Sequence, residues 1–323
     1  KCIKCRRCVS ICREVQNVGA ISAQFRGYDT VIGPAFSRPM STVACVQCGQ
    51  CAAVCPTGAI TEVTHIDQVW SAIDDPSKHV VVQTAPAIRA ALGECFGLRP
   101  GTLVTGKMVS ALREIGFDAV FDTNFTADLT IIEEGSELLD IVAGKIKKPL
   151  PLITSCSPGW IKFMEHFYPD LVDHVSSCKS PQQMFGTLAK TYYPEQTKKN
   201  PADIVSVSIM PCTAKKFEAD RPEMNDSGYK DVDYVLTTRE LARMIREAGI
   251  DFATIEDSEA EPLMGEYTGA GTIFGATGGV MEAALRTAYK LVTGEELADV
   301  NIIPVRGLEG VKDATIPVGD LDV

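Results

Sequence analysis

Cys2-Ile3-Lys4-Cys5-Arg6-Arg7-Cys8-Val9-Ser10-Ile11-Cys12 and Cys45-Val46-Gln47-Cys48-Gly49-Gln50-Cys51-Ala52-Ala53-Val54-Cys55 repeat one spacing, C-x2-C-x2-C-x3-C. Three thiolates at intervals of three wrap one face of a four-iron cubane, and the fourth points to its neighbour. The two runs therefore read as ligands of two [4Fe–4S] clusters that pass single electrons. The expected sets are crossed: Cys2, Cys5 and Cys8 with Cys55, and Cys45, Cys48 and Cys51 with Cys12. Ala20-Ile21 and Ala59-Ile60 follow the runs, as expected of a duplicated fold that seals each cluster with small and branched side chains. Pro56 completes the usual C-P ending, whereas Arg13 stands in that place after the first run. Zinc would ask for C-x2-C pairs separated by a longer span, and a disulfide framework does not suit such crowding.

At 323 residues the chain is long enough for two or three domains with ordinary cores. Its 45% hydrophobic and 23% charged residues are those of a soluble globular protein. No apolar run reaches the length of a membrane span, and no secretory h-region is visible. The chain opens on Lys1, one position before a cluster ligand, which reads as a missing N-terminus and leaves targeting unreadable. Thiols that must stay available for iron point to a reducing cytoplasm. The net charge of −11 argues against nucleic acid and suits docking to a basic patch on a redox partner.

Residues 1–64 read as an α+β ferredoxin-like domain, with a Gly/Pro-containing insertion from Phe25 to Met40 between the cysteine runs. Residues 65–323 read as a second domain. A helical stretch from His65 to Ile73 leads to a buried strand at His79–Gln83. Lys107 to Ile115 is an amphipathic helix with Met108, Ala111, Leu112 and Ile115 on one face and Gly116 as its stop. Strands are expected at Phe117–Phe121 and Ile204–Ile209. A helix from Thr237 to Ala248 opens with the capping box Thr237-x-x-Glu240, turns Leu241, Met244, Ile245 and Ala248 inward, and ends at Gly249. Such alternation implies an α/β domain with largely parallel sheets.

Ligands in such folds gather where strands end. Leu152-Ile153-Thr154 runs into Ser155-Cys156-Ser157-Pro158-Gly159-Trp160, and Val207-Ser208-Ile209 into Met210-Pro211-Cys212-Thr213-Ala214-Lys215-Lys216. Either cysteine alone reads equally well as a small buried thiol. Two in matching contexts, downstream of a two-cluster wire, favour a shared metal site. Cys95 and Cys178 lie in helix-like surroundings and are expected to be inert. Gly269-x-Gly271 lacks the third glycine of the dinucleotide fingerprint, so it does not argue for NAD binding in this chain.

Through nearly its whole length the chain resembles the [FeFe]-hydrogenases. Their motif TSCCPxW reads here Thr154-Ser155-Cys156-Ser157-Pro158-Gly159-Trp160, and MPCxxKxxE is intact from Met210 to Glu218. Asp122 to Thr130, Ser180-Pro181-Gln182-Gln183 and Gly265 to Gly279 are similar as well. The resemblance implies a catalytic domain of two lobes holding an H-cluster, a cubane joined to a two-iron site with CO, CN⁻ and a dithiolate, and an enzyme interconverting H2 with protons and electrons. Cys156 and Cys212 are then cluster-site residues. Lys215 hydrogen-bonds a cyanide, and Met210, Pro86 and Phe274 form an apolar wall. Protons travel by Cys156 or Ser157 to Glu134, Ser176 and Glu137, the two glutamates being i and i+3 on one helix face. The implied electron partner is a ferredoxin, or flavin and Fe–S subunits of a larger NAD- or ferredoxin-linked complex.

Two departures stand out. The third motif, ExMACxxGCxxGGG, is absent where the sequence stops at Val323, which reads as truncation and leaves the H-cluster incomplete in this chain. Ser157 replaces the second cysteine of the first motif. Either Cys156 has taken over cubane ligation with Ser157 nearer the relay, or a ligand is lost. The rival readings are a non-catalytic iron–sulfur assembly factor and a sensory hydrogenase.

Overall fold

In the computed structural model, residues 1–297 are described and, beyond them, 303, 304, 312, 313, 315–318, 321 and 322. The duplication is visible in the backbone of the two cysteine runs. Each enters a short helical turn, Arg7–Ser10 or Gln50–Ala53. Each is preceded by the same pair of left-handed residues: Lys4 (φ 56°) and Arg6 (φ 62°) in the first, Gln47 (φ 58°) and Gly49 (φ 73°) in the second. Left-handed kinks on either side of the second cysteine curl each run back on itself, an arrangement few non-glycine residues adopt unforced. Between the runs, strands β1 (Ser22–Gln24) and β2 (Val31–Gly33) pair antiparallel, Ser22 opposite Gly33.

Four strands form one parallel sheet in the order β4-β3-β5-β6: β3 (His79–Thr84), β4 (Ala119–Asp122), β5 (Ile204–Met210) and β6 (Tyr234–Thr237). Thr84 lies opposite Ile209 and Asp122, which aligns the carboxyl ends of three strands. Both faces are covered, so the strands are mostly apolar, with buried polar residues such as Gln83, Ser206 and Ser208 among them. Val80, Val82, Val207 and Ile209 face one core with Met108, Leu112, Leu241 and Met244, while Val81 and Phe121 face another with Phe185 and Tyr193.

The helices around the sheet and the cysteine segments include α1 (Ile66–Ile73), α2 (Thr105–Ile115), α3 (Asn124–Val142), α4 (Pro158–Phe167), α5 (Pro181–Lys190), α6 (Ala214–Ala219), α7 (Thr238–Glu247), α8 (Gly269–Ile273) and α9 (Gly279–Thr293). In α2 the four expected side chains are buried, and Gly116, at φ 114°, ends the helix. The capping box of α7 is formed, and Leu241, Met244 and Ile245 are buried. Ala248 is exposed rather than inward, because the helix has already ended at Glu247; Ala242 takes the buried place instead. Strand β6 went unanticipated because its four residues run directly into the α7 cap. Helices α5, α8 and α9 pack on α3. Beside them Ile153 bridges Val175 in parallel, bringing Thr154 and Ser176 alongside each other. No helix among the described residues is long and apolar enough to cross a membrane.

Candidate active site

The segments at the ends of β5 and of the Ile153 bridge meet through Lys215. Its ammonium donates to the Cys156 carbonyl at 2.9 Å and to Glu218 at 3.0 Å, one turn on in α6. Glu218 also accepts from the Ser180 hydroxyl and the Gln182 amide, each at 2.9 Å. Gln182 in turn accepts from Ser208 of β5 at 2.8 Å. Lys215 is thus a half-buried, paired cation rather than a solvent-facing one. Burial pushes the Cys156 thiol up against the opposing pull of the Thr154 hydroxyl and the Lys215 charge. Thr154 approaches Cys156 Sγ at 3.8 Å.

The same Thr154 hydroxyl donates to Glu134 at 2.8 Å, joining the first-motif loop to α3. One turn along α3, Glu137 accepts from Ser176 at 2.6 Å, from the Ser177 hydroxyl at 2.9 Å and from Lys148 Nζ at 2.7 Å. Both carboxylates are buried, at 6% and 8% exposure, which excludes their being ordinary surface groups. Their environments differ. Burial pushes Glu134 above the usual carboxylate range, only partly offset by Thr154, Ser155 and Ser176. Burial acts the same way on Glu137, but donation from Lys148, Ser176 and Ser177 outweighs it and holds the group down to about 2. Adjacent carboxyl groups with pKa values pushed apart are suited to different roles in proton transfer. Two cavities flank this line. One, of about 710 Å³, is largely apolar, with Leu138, Val142 and Leu285 in its wall and Glu134 and Ser176 at its edge. The other, of about 490 Å³, borders Ser155, Ser176 and Glu218.

At the second cysteine run, burial pushes the thiols of Cys45, Cys48 and Cys51 up, Cys51 to about 11. Charge on neighbouring thiols adds to it, with Cys12 acting on all three and Cys212 on Cys48. The structure therefore brings Cys12 to the second run and that run to Cys212. Cys8 is raised by burial, with Cys5 and Cys2 adding to it. Cys55 is held down at about 7 by the amides of Ile60, Thr57 and Ala59, the environment of a thiolate. Among the described residues no three donor side chains converge to chelate a single metal ion. A cubane instead takes one thiolate at each of four separated irons, and four neighbouring but spaced thiols fit that group.

Other expected residues are placed less centrally. Met210 is buried at the end of β5, Phe274 is half-buried at the end of α8, and Pro86 and Ser157 are exposed. Ser157 is the N-cap of α4 but makes no side-chain cap bond. Cys178, expected in a helix, lies in a loop with its thiol 3.9 Å from Glu137. Burial pushes that thiol up to about 11. Thr154, Ser177 and Lys148 escaped the sequence reading. Thr154 opens the first cysteine motif, but Lys148, in a short lysine-rich stretch, carried no signal.

A doubly covered parallel sheet, with Cys212 just past the end of β5 and two cysteine runs spaced for cubanes, places the chain among iron–sulfur proteins. Residues 78–323 match the iron only hydrogenase large subunit, C-terminal domain, and residues 1–59 match a 4Fe-4S dicluster domain. The chain belongs to the iron-only hydrogenase family. It is 54% identical to the NADP-reducing hydrogenase subunit HndD of Solidesulfovibrio fructosivorans and 48% identical to Iron hydrogenase 1 of Clostridium pasteurianum. In each case 99% of this chain is matched, and it spans 55% of the relative's length. A structure of the [FeFe]-hydrogenase HydA1 from Chlamydomonas reinhardtii superposes with TM-score 0.69 at 48% identity, covering 79% of this chain and 64% of that one. Likeness to the cytosolic iron-sulfur assembly component 3 of Pongo abelii is weaker, at 33% identity.

Proposed function

We propose that the chain is the catalytic part of a hydrogenase interconverting H2 with protons and electrons. The reading is carried by one observation: a line of polar groups from the half-buried Cys156 and Thr154 to the buried Glu134, Ser176 and Glu137. The H-cluster of the family supplies, when bound, the iron centre at which H2 is split. Cys212 is the thiolate this chain would offer it, and Ser157 stands where the motif has its second cysteine. Cys156 takes the relay role, because its thiol is the group within reach of Thr154, and through it of Glu134. Glu134, whose burial favours the neutral form, holds the proton; Glu137, held charged at the Lys148 end, takes it only in passing and orients Ser176 and Ser177. Lys215 holds a positive charge beside the Cys156 loop, anchored by Glu218, and Met210 excludes water from the end of β5.

The proposed division is an electron-transfer domain at 1–64 and a catalytic domain at 65–323; α1 packs on β3 and β6, on the catalytic side. Electrons would leave through the two cubanes to a ferredoxin or to flavin and Fe–S subunits. Residues 1–64 contain seven Lys/Arg and three Asp/Glu, although the chain as a whole carries −11. The face around Lys1, Lys4, Arg6 and Arg7, all exposed, would therefore suit an acidic partner surface, which the net charge alone conceals. A cytoplasmic setting is proposed because all twelve cysteines are free thiols. The test is H2/D2O exchange by the intact polypeptide carrying its full iron load. Exchange is the expected result; none would overturn the reading in favour of a non-catalytic relative.

A further inference from the structure

The residue after Cys212 and the residue before Cys48 are joined across 166 positions of chain: the Thr213 hydroxyl donates to the Gln47 carbonyl at 2.7 Å. Two residues beyond Gln47, Gly49 lies against the same threonine. A Cβ at Gly49 would sit 2.4 Å from Thr213 Oγ1 and 3.0 Å from Thr213 Cγ2. The turn itself does not demand glycine. Arg6, at the matching position of the first run, holds nearly the same left-handed conformation with a full, exposed side chain. What separates the two positions is that only Gly49 faces Thr213.

We propose that Thr213 is a positioning residue that docks the second cysteine loop onto the strand end presenting Cys212, and so sets how closely the second cubane approaches the catalytic centre. Its hydroxyl fixes the loop's carbonyl before Cys48, and the same side chain, its hydroxyl oxygen nearest, occupies the space left by the missing Cβ after it. One contact on each side of Cys48 constrains that cysteine in both position and rotation. The docking stands on geometry alone; its consequence for turnover rests on the hydrogenase reading.

The test compares Thr213→Val, which keeps the shape and removes the donor, with Thr213→Ser, which keeps the donor, in the holoenzyme. Two properties are read: the magnetic interaction between reduced clusters by electron paramagnetic resonance, and H2 evolution driven by reduced ferredoxin relative to H2/D2O exchange. Thr213→Val is expected to weaken the interaction and to lose ferredoxin-driven evolution while keeping exchange, and Thr213→Ser is expected to match the parent. Gly49→Ala should reproduce the loss, and adding Thr213→Ala to it should restore part of the interaction by vacating the space. Parental spectra and a parental ratio in Thr213→Val would overturn the proposal. So would an equal loss in Thr213→Ser, or a Gly49→Ala defect indifferent to Thr213. A parent that shows no exchange would fail the hydrogenase reading instead, leaving the spectroscopic comparison to judge the docking.

Discussion

Lys216 Nζ lies 2.9 Å from the Glu240 carboxylate, which is fully buried, while its neighbour Lys215 turns the other way to Glu218 and the Cys156 loop. Glu240 closes the α7 capping box by accepting from the Thr237 amide at 2.7 Å, so one carboxylate serves both a helix start and an ion pair to α6. Glu240→Gln leaves the Lys216 charge buried without its partner, and such losses cost about 3–5 kcal/mol. The expected outcome is a lower denaturant midpoint at unchanged slope, measured by urea unfolding.

Glu134→Gln keeps the size and the hydrogen bond from Thr154 but cannot carry the proton. Turnover is expected to fall by about 10²- to 10⁴-fold, the range for loss of a positioned acid–base group. Thermal unfolding should shift little. Turnover within twofold of the parent, on the same intact polypeptide, would remove Glu134 from the route.

Glu137 sets a pH dependence whose sign follows from its environment. Its folded pKa, about 2, lies below the ordinary value near 4.3, so the charged form is favoured by folding. Its contribution to stability is complete above the ordinary carboxylate pKa and is lost as pH falls through that value towards 2. Lys148→Met removes the cation at 2.7 Å. The variant should be less stable at neutral pH by about 3 kcal/mol, and its acid-induced loss should begin from a smaller reserve. Urea titrations at several pH values measure both.

Ser157→Cys restores the thiol pair of the first motif at an exposed N-cap where the serine side chain makes no cap bond. A thiolate binds iron far better than a hydroxyl. Iron retained per polypeptide after gel filtration is expected to rise, with no loss of fold. Unchanged iron would show that Ser157 does not face the cluster.

The cubane loop and the helix boundaries were legible because both depend on local spacing: four cysteines in one run, a Thr-x-x-Glu cap, a glycine stop. Ala248 was misjudged because the helical period continued past the point where the backbone turned away. Glu134, Glu137 and Ser176, proposed for the proton route, and Lys215, proposed beside it, carried no local signal of burial, and only likeness to a family singled them out. Lys148 and Thr213 were beyond reach for the same physical reason. Each acts on a segment far away in sequence, Lys148 on α3 and Thr213 on the cysteine loop, and nothing in a lysine-rich stretch or a lone threonine announces its partner. Cys178 shows the reverse error: its surroundings read as helical, yet it sits in the loop that wraps Glu137.

Asp128 accepts from the Thr268 hydroxyl at 3.0 Å and from the Gly271 amide at 2.7 Å, and a Cβ on Gly271 would come within 3.0 Å of the Asn124 carbonyl. The glycine-rich segment leading to Phe274 is thus bolted to the same helix that carries Glu134 and Glu137 two turns further on. Helix α3, about 28 Å long at 1.5 Å per residue, is a single rod with the glycine-rich segment clamped near one end and the two buried glutamates along its shaft. Any tilt of that rod would displace both together, so the proposed wall element and the proposed start of the proton route are mechanically ganged.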